Sequence, residues 1–258
     1  MIVDERRSRI LQIAEELGFV SLQRLVSELG ASESTVRRDL EFLDSTGHIQ
    51  RTRGGASYLG DAQSDFDARR SLASREKQWI AKRTAELISE GETVLLDGGT
   101  TTLEVARHLT GKTIQVLTNS LPIASLLMNR PEIELIFIGG YVYPKTGVAL
   151  GELSVDALRK IHAGRLVMST GGITEEGLFN SNALLVETER QMIRAVDRVT
   201  LVADSSKFGQ RALSHLCPLS DVDEIVTDDG VSSEWRQRME SAGLRMEIAG
   251  GSLVKIAK

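Results

Sequence analysis

Two stretches, the first in two parts, carry residue types at spacings that could do chemistry. In "SESTVRRDLEFLD" Arg37 and Arg38 stand side by side, and in "HIQRTRGGA" Arg51 and Arg53 alternate with small or polar residues. Arginine presents a planar fork of donors that matches the edge of guanine or a phosphate, whereas lysine offers only a point charge. No lysine precedes Lys77, so the first 76 residues take their side-chain cations from arginine. The second stretch, "DGGTTTLEVARHL", sets Asp97, Gly99, Thr100, Thr101 and Thr102 where a strand would hand over to a helix. Glycines there let the backbone approach an anion, threonines add hydroxyls, and the helix start supplies free N–H groups and a positive dipole end. A phosphate fits that description. The loop lacks the Gly-Lys-Ser/Thr ending of a Walker motif and is not a Gly-x-Gly-x-x-Gly dinucleotide fingerprint.

The elements that must position the arginines follow from periodicity. Ile10, Ile13, Ala14 and Leu17 predict a helix over residues 5–17 that stops at Gly18. Ser21 is a predicted N-cap for a second helix carrying Leu22, Leu25, Val26 and Leu29 inward to Gly30. The third starts at Ser32 with Val36, Leu40 and Leu43 as its buried stripe and Gly47 as its close. Three short helices with glycine turns make a helix-turn-helix candidate. Ser34, Arg37, Arg38 and Glu41 fall opposite the buried stripe, in the half of a recognition helix that reaches base edges. Ser32, Ser34 and Thr35 could give hydroxyl bonds to phosphate, and Ile49, Arg51 and Arg53 before Gly54 and Gly55 suit a short hairpin wing. An isolated Arg-Arg pair is more often a solvated face paired with neighbouring acids such as Asp39, Glu41 or Asp44. The cap before the pair and the arginine-bearing wing after it turn that balance toward DNA.

Together these residues resemble the DeoR family of bacterial transcriptional regulators. The resemblance is carried by Thr35-Val36-Arg37-Arg38-Asp39-Leu40 and then Arg51, Gly54, Gly55 and Ala56. It implies binding of double-stranded operator DNA through Arg37 and Arg38, with Asp39 structural, and assembly as a homodimer or homotetramer.

Residues 57–76 are polar, lack a clear period and read as a linker with a helical tendency near its end, so the expected division is 1–56 head, 57–76 linker and 77–258 effector domain. A helical pattern runs from about Ser74 to Ile88. From Glu92 onward "TVLLD", "IQVLTN", "IELIFIGG", "RLVMST", "VTLVAD" and "EIVTD" alternate with helical segments, which predicts an α/β, doubly wound, mostly parallel sheet. Five of these runs end in small or polar residues: Asp97 to Thr102, Thr118-Asn119-Ser120, Gly139-Gly140, Ser169 to Gly172, and Asp204 to Lys207. A parallel sheet brings such ends to one edge, where open α/β folds bind ligands.

This half resembles the sensor domain of the same family, related in fold to ribose-5-phosphate isomerase. The resemblance implies a phosphorylated sugar as effector, held near Asp97, Gly99, Thr100, Thr101 and Thr102. Further landmarks are Thr118, Asn119, Gly140, Lys145, Glu152, Gly172, Asp204 and Lys207. No cofactor is implied. One departure stands out: where many members carry Glu-x-x-x-Lys-Arg, this chain has Leu185 and Glu189 in "LLVETERQMI". Glu187 and Glu189 either line the sugar end of the crevice or lie at the surface.

Composition narrows the alternatives. The net charge of −5 argues against coating nucleic acid by bulk charge and leaves a local patch open. One cysteine, Cys217, excludes an intrachain disulfide, and with four scattered histidines no metal-ligand spacing emerges. The start "MIVDERRSRI" lacks the basic-then-apolar order of a secretory signal, and no long apolar run follows, so a cytoplasmic protein without a membrane partner is expected. The alternative function is a sugar-phosphate isomerase with an accessory DNA head, using Asp97, Glu152, Asp204 and Lys207 as acid and base. No nucleophile, base and orienter assemble by spacing, and kinship of fold does not transfer chemistry.

Overall fold

The computed structural model describes residues 3–17, 19–45, 49–52, 54–58 and 66–250. The chain divides into two compact units, Met1–Arg69 and Arg70–Lys258.

In the first unit α1 (Val3–Leu17), β1 (Phe19–Ser21), α2 (Leu22–Leu29), α3 (Glu33–Ser45), β2 (Ile49–Thr52) and β3 (Gly55–Tyr58) form a helix-turn-helix with a three-stranded wing, order β1-β3-β2. Ser21 caps α2, accepting a bond from the Arg24 N–H at 3.3 Å, and Gly30 ends it in the left-handed region at φ 59°. Val36, Leu40 and Leu43 are buried with Ile10, Ile13, Leu25 and Ile49 as the core. A fully buried side chain of this size contributes about 1.5–3 kcal/mol. The predicted hairpin forms with Thr52 opposite Gly55. Gly55 is required by close approach, because a Cβ there would lie 2.1 Å from the Val20 carbonyl oxygen of β1. The strand β1 was absent from the sequence expectation, since three residues cannot show a period. Gly18, Gly47 and Arg53 lie outside the described residues.

The stretch expected as linker carries regular structure at both ends: Ser57 and Tyr58 belong to β3, and α4 (Phe66–Ser71) and the start of α5 (Ser74–Leu87) follow. The second unit then alternates β4 (Thr93–Leu96), α6 (Thr100–His108), β5 (Ile114–Thr118), α7 (Leu121–Leu127) and β6 (Ile133–Phe137). The hairpin β7 (Tyr141–Tyr143) and β8 (Val148–Leu150), α8 (Glu152–Leu158) and β9 (Arg165–Met168) come next. The remainder is β10 (Gly172–Thr174), β11 (Gly177–Asn180), α9 (Ala183–Arg194), β12 (Val199–Val202), β13 (Ser214–Cys217), β14 (Glu224–Asp228), α10 (Ser233–Ser241) and β15 (Arg245–Ala249).

Seven strands form one sheet in the order β15-β14-β12-β9-β4-β5-β6, with every neighbouring pair parallel. Its inner strands β9 and β12 are buried along their whole length, as sheets covered on both faces require. All six predicted strands lie in it, and β15 joins at the edge. Successive strands run outward from β4 in one direction and from β9 in the other, so the winding reverses between β4 and β9. The loops that leave the carboxyl ends of those two strands flank the place where such folds open a crevice.

Candidate functional site

On the first unit, α3 presents Ser34, Arg37, Arg38 and Glu41 to solvent. Ser32 sits at its start, with its hydroxyl oxygen 3.3 Å from the Thr35 N–H it accepts from and 3.0 and 2.8 Å from the Ser34 and Thr35 hydroxyls. Arg37 pairs with Glu33 one turn back at 2.7 Å, and Arg51 of the wing with Glu41 at 3.0 Å. Arg38 is exposed and forms no ion pair among the described residues. Exposed pairs of this kind are worth about 0.2–1 kcal/mol, so Arg37 and Arg51 can exchange them for a stronger anion at small cost. Asp39 is structural: it is 2% exposed and receives the guanidinium groups of Arg6 at 2.5 Å and Arg7 at 3.0 Å. Arg7 also lies over the Phe42 ring, 3.7 Å from its centre, so one buried carboxylate and one aromatic face fix α1 on α3.

In the second unit the loops of β4 and β9 abut at the reversal. The Asp97 N–H donates to the Val167 carbonyl at 3.0 Å, and the Ser169 N–H reaches the Asp97 carboxylate at 3.4 Å. Both loop glycines face side chains closely: a Cβ on Gly98 would meet Val148 Cγ1 at 1.9 Å, and one on Gly99 would meet Ser169 Oγ at 2.0 Å, so a larger residue at either requires that side chain to move. Gly99 opens α6. Its N–H donates to Thr102 Oγ1 at 2.6 Å, and that hydroxyl donates to the Gly99 carbonyl at 2.9 Å. Thr102 is therefore a local cap, while Thr100 and Thr101 are buried in the first turn, where amides have no intrahelical acceptor.

Beside this turn, Thr118 donates its hydroxyl to the Leu96 carbonyl at 2.8 Å, and Asn119 donates Nδ2 to the Ala149 carbonyl at 2.8 Å. Asn119 Oδ1 is buried and makes no hydrogen bond among the described residues. On the other side Gly172 begins β10, where a Cβ would lie 2.2 Å from the Gln210 carbonyl, so the β9 loop packs on the segment after β12. That segment starts at Asp204, which is 4% exposed and accepts from the Ser206 N–H at 3.2 Å and from the Ser206 hydroxyl. Burial pushes the Asp204 carboxyl up, and the charge of Lys77 pulls against that rise. Lys207 follows, half-buried.

The outlying residues are differently placed. Gly140 packs against Ser154, whose hydroxyl donates to the Gly139 carbonyl at 2.9 Å. Lys145 is exposed in the β7–β8 turn, and Glu152 is exposed in the first turn of α8.

The helix with the departure is split by the structure. Glu187 is exposed, but Glu189 is 3% exposed, and both its oxygens accept from Asn180 Nδ2, at 2.7 and 2.8 Å. Burial and the negative charge of Asp97 hold the Glu189 carboxyl well above the usual carboxylate range. A surface position for Glu189 is thus excluded, and Glu189 faces the same buried environment as Asp97. Lys77 was also missed, although its spacing to Ile80, Ala81 and Thr84 marks a lysine on the buried stripe of α5.

Comparison with known proteins agrees with this architecture. Residues 6–61 match the family described as DeoR-like helix-turn-helix domain, and residues 72–229 match the DeoR C terminal sensor domain. The chain belongs to the DeoR family and is a DNA-binding transcriptional regulator with a sensor domain. The HTH-type transcriptional regulator UlaR of Escherichia coli strain K12 is 29% identical over 244 residues, covering 93% of this chain and 96% of the relative. UlaR of Shigella boydii serotype 18 matches to the same extent. Among solved structures, ribose 5 phosphate isomerase A from Neisseria gonorrhoeae is 16% identical with a TM-score of 0.40, covering 52% of this chain and 53% of that one. Among the described residues no helix is long and apolar enough to cross a membrane.

Proposed function

We propose that the chain represses carbohydrate-metabolism genes by binding an operator through its winged head, and that a phosphorylated sugar in the crevice controls that binding. It acts as a regulator and not as an enzyme, as an oligomer of two or four copies in the cytoplasm. The observation that carries the effector reading is the buried first turn of α6, where Thr100 and Thr101 lie behind two glycines at the winding reversal. A helix start with that geometry receives an anion by its amides and dipole. Gly99, Thr100, Thr101 and Thr102 hold the phosphate, with Lys207 and Lys145 as cations on its rim. Asp97, Asn119 and Asp204 accept hydrogen bonds from sugar hydroxyls, and Thr118, Gly140, Glu152 and Gly172 shape the walls. Asn119 Oδ1 supports this assignment, because buried acceptors in native proteins are normally satisfied.

On the head, Arg37 and Arg38 read base edges while Ser32, Ser34, Thr35, Arg51 and Arg53 hold the backbone, with 57–76 joining the head to the effector domain. Differential affinity worth about 1–3 kcal/mol gives roughly 5- to 150-fold control of operator binding.

Thermal unfolding of the full chain across a panel of sugar phosphates, each beside its unphosphorylated sugar, tests the effector reading. A native-state binder adds about 2.7 kcal/mol at 100 times its dissociation constant. A rise in Tm with a phosphorylated compound alone, lost in Thr101→Glu, is expected. Equal shifts with both members of every pair would overturn it. The DNA reading is checked by retention on duplexes selected from a random pool: Arg37→Ala is expected to cost about 1–3 kcal/mol and relax discrimination.

A further inference from the structure

Lys77 is a buried lysine, 5% exposed, on a helix face it shares with Ile80, Ala81 and Thr84. A charged ammonium in such a place needs partners on hand. One is the carbonyl of Leu72, which accepts from Nζ at 2.6 Å. That bond reaches back over the entry to α5, where Ala73 is the only non-glycine described residue with a left-handed backbone, at φ 47° and ψ 37°. Ala73 has no side chain to cap the helix, and its carbonyl accepts the Lys77 N–H at 2.9 Å. An L-residue holds that conformation only where surrounding contacts impose it. The helix α5 that carries Lys77 packs against β12 and β14, and the charge of Lys77 acts on Asp204, in the loop at the carboxyl end of β12. One ammonium therefore bears on the crevice and on the strained residue through which the chain enters the sensor unit from the head.

We propose that Lys77 is the positioning residue that transmits occupancy of the crevice to the Leu72–Ala73 entry turn. The proposal rests on the reading of the crevice as an anion site. An anion arriving beside Asp204 adds negative charge on one side of Lys77 and draws the ammonium from the Leu72 carbonyl. Ala73 then loses the contact that imposes its conformation and relaxes toward the right-handed or extended regions, which re-aims the preceding chain. Occupied and empty crevices thereby favour different arrangements of the entry turn, which is what coupling between two sites requires.

The test uses the full-length protein with inorganic phosphate as probe. Melting with phosphate, against chloride at equal ionic strength, reads occupancy. Amide hydrogen exchange at residues 72–78 reads the entry turn. In the unaltered chain phosphate is expected to raise Tm and to speed exchange at 72–78 by about fivefold or more, the lower end of ordinary allosteric coupling. Lys77→Met is expected to keep the rise in Tm and lose the exchange response, and Lys77→Arg to restore part of it. A rise in Tm with no exchange response in the unaltered chain, or an equal response in Lys77→Met, overturns the proposal while leaving the anion site standing. No effect of phosphate on Tm sinks the anion reading, and the proposal with it. Should Lys77→Met fail to fold, Ala73→Gly serves, because glycine adopts the left-handed region without strain. Its response is expected to shrink, and an undiminished response overturns the hinge role.

Discussion

At the amino ends of the strands Arg165, the first residue of β9, bonds to Glu92 at 2.8 Å, to the Thr200 hydroxyl at 2.9 Å and to Glu224. Thr200 in turn donates to Glu224 at 2.7 Å, so that buried network is closed on itself. At the carboxyl ends Asp97, Glu189, Asp204 and Asp228 are buried, with Lys77 as the one buried ammonium among the described residues. Two of those four carboxyls, Glu189 and Asp204, are pushed up, and Asn119 Oδ1 and Thr227 Oγ1 are buried without a hydrogen-bond partner among the described residues. At one end of the same sheet the buried polar groups bond one another, and at the other two buried oxygens have no hydrogen-bond partner among the described residues. The first arrangement holds a fold together, and the second is the kind of cost a protein carries where it binds something.

The comparison can be broken most forcefully at the satisfied end. Arg165→Met leaves Glu224 buried without its cation and is expected to cost about 3–5 kcal/mol. For a unit of this size that lowers Tm by roughly 6–20 °C. Denaturant titration measures it, and a loss under 1 kcal/mol would deny the network its structural role. Gly98→Ala, in the loop between β4 and α6, drives a methyl into Val148 and is expected to cost about 1–3 kcal/mol while deforming the loop. Unchanged stability together with unchanged phosphate response would show that the loop gives way freely.

The opposite sign is expected at Glu189. Its carboxyl binds a proton more tightly in the folded chain than in the unfolded one, so the associated stability is fully present below about pH 4.3. It is lost as pH rises through the elevated folded value. Glu189→Gln removes that dependence: the variant is expected to match the parent near pH 4 and to exceed it in stability near pH 8. Parallel stability curves across that range would exclude Glu189 as the proton store. The smallest effect belongs to Thr227→Val, which deletes a buried hydroxyl lacking a partner and is expected to change stability by less than about 1 kcal/mol, toward greater stability. A loss above 2 kcal/mol in chemical denaturation would mean that the hydroxyl is bonded after all.

Much of this molecule was legible from local pattern. The stripe of Val36, Leu40 and Leu43, the Ser21 cap, the wing strand of Ile49 and Arg51 and the six strand runs were all readable, because each is written within one element at a period of 3.6 or 2, whereas Gly55, expected in the turn, opens β3. Polar residues at the strand ends likewise marked one edge of the sheet, since a parallel sheet has only one edge at which its carboxyl ends collect. Three-residue β1 was not readable, and neither was β15, whose half-buried residues give no continuous apolar run.

The sequence by itself determined the class of fold, the arginine-bearing face of α3 and the polar edge of the sheet, because residue type and spacing decide which side chains share a face. Only the tertiary structure decided which charges meet. It closed Arg165 with Glu92 and Glu224, residues separated by 73 and 59 positions, and locked Asp39 to α1 across 33. It also moved Glu189 from a possible surface residue to a buried one bonded by Asn180, and buried Lys77 with its ammonium on the Leu72 carbonyl. Burial and charge proximity are properties of the packed whole, and no periodicity within a single element encodes them.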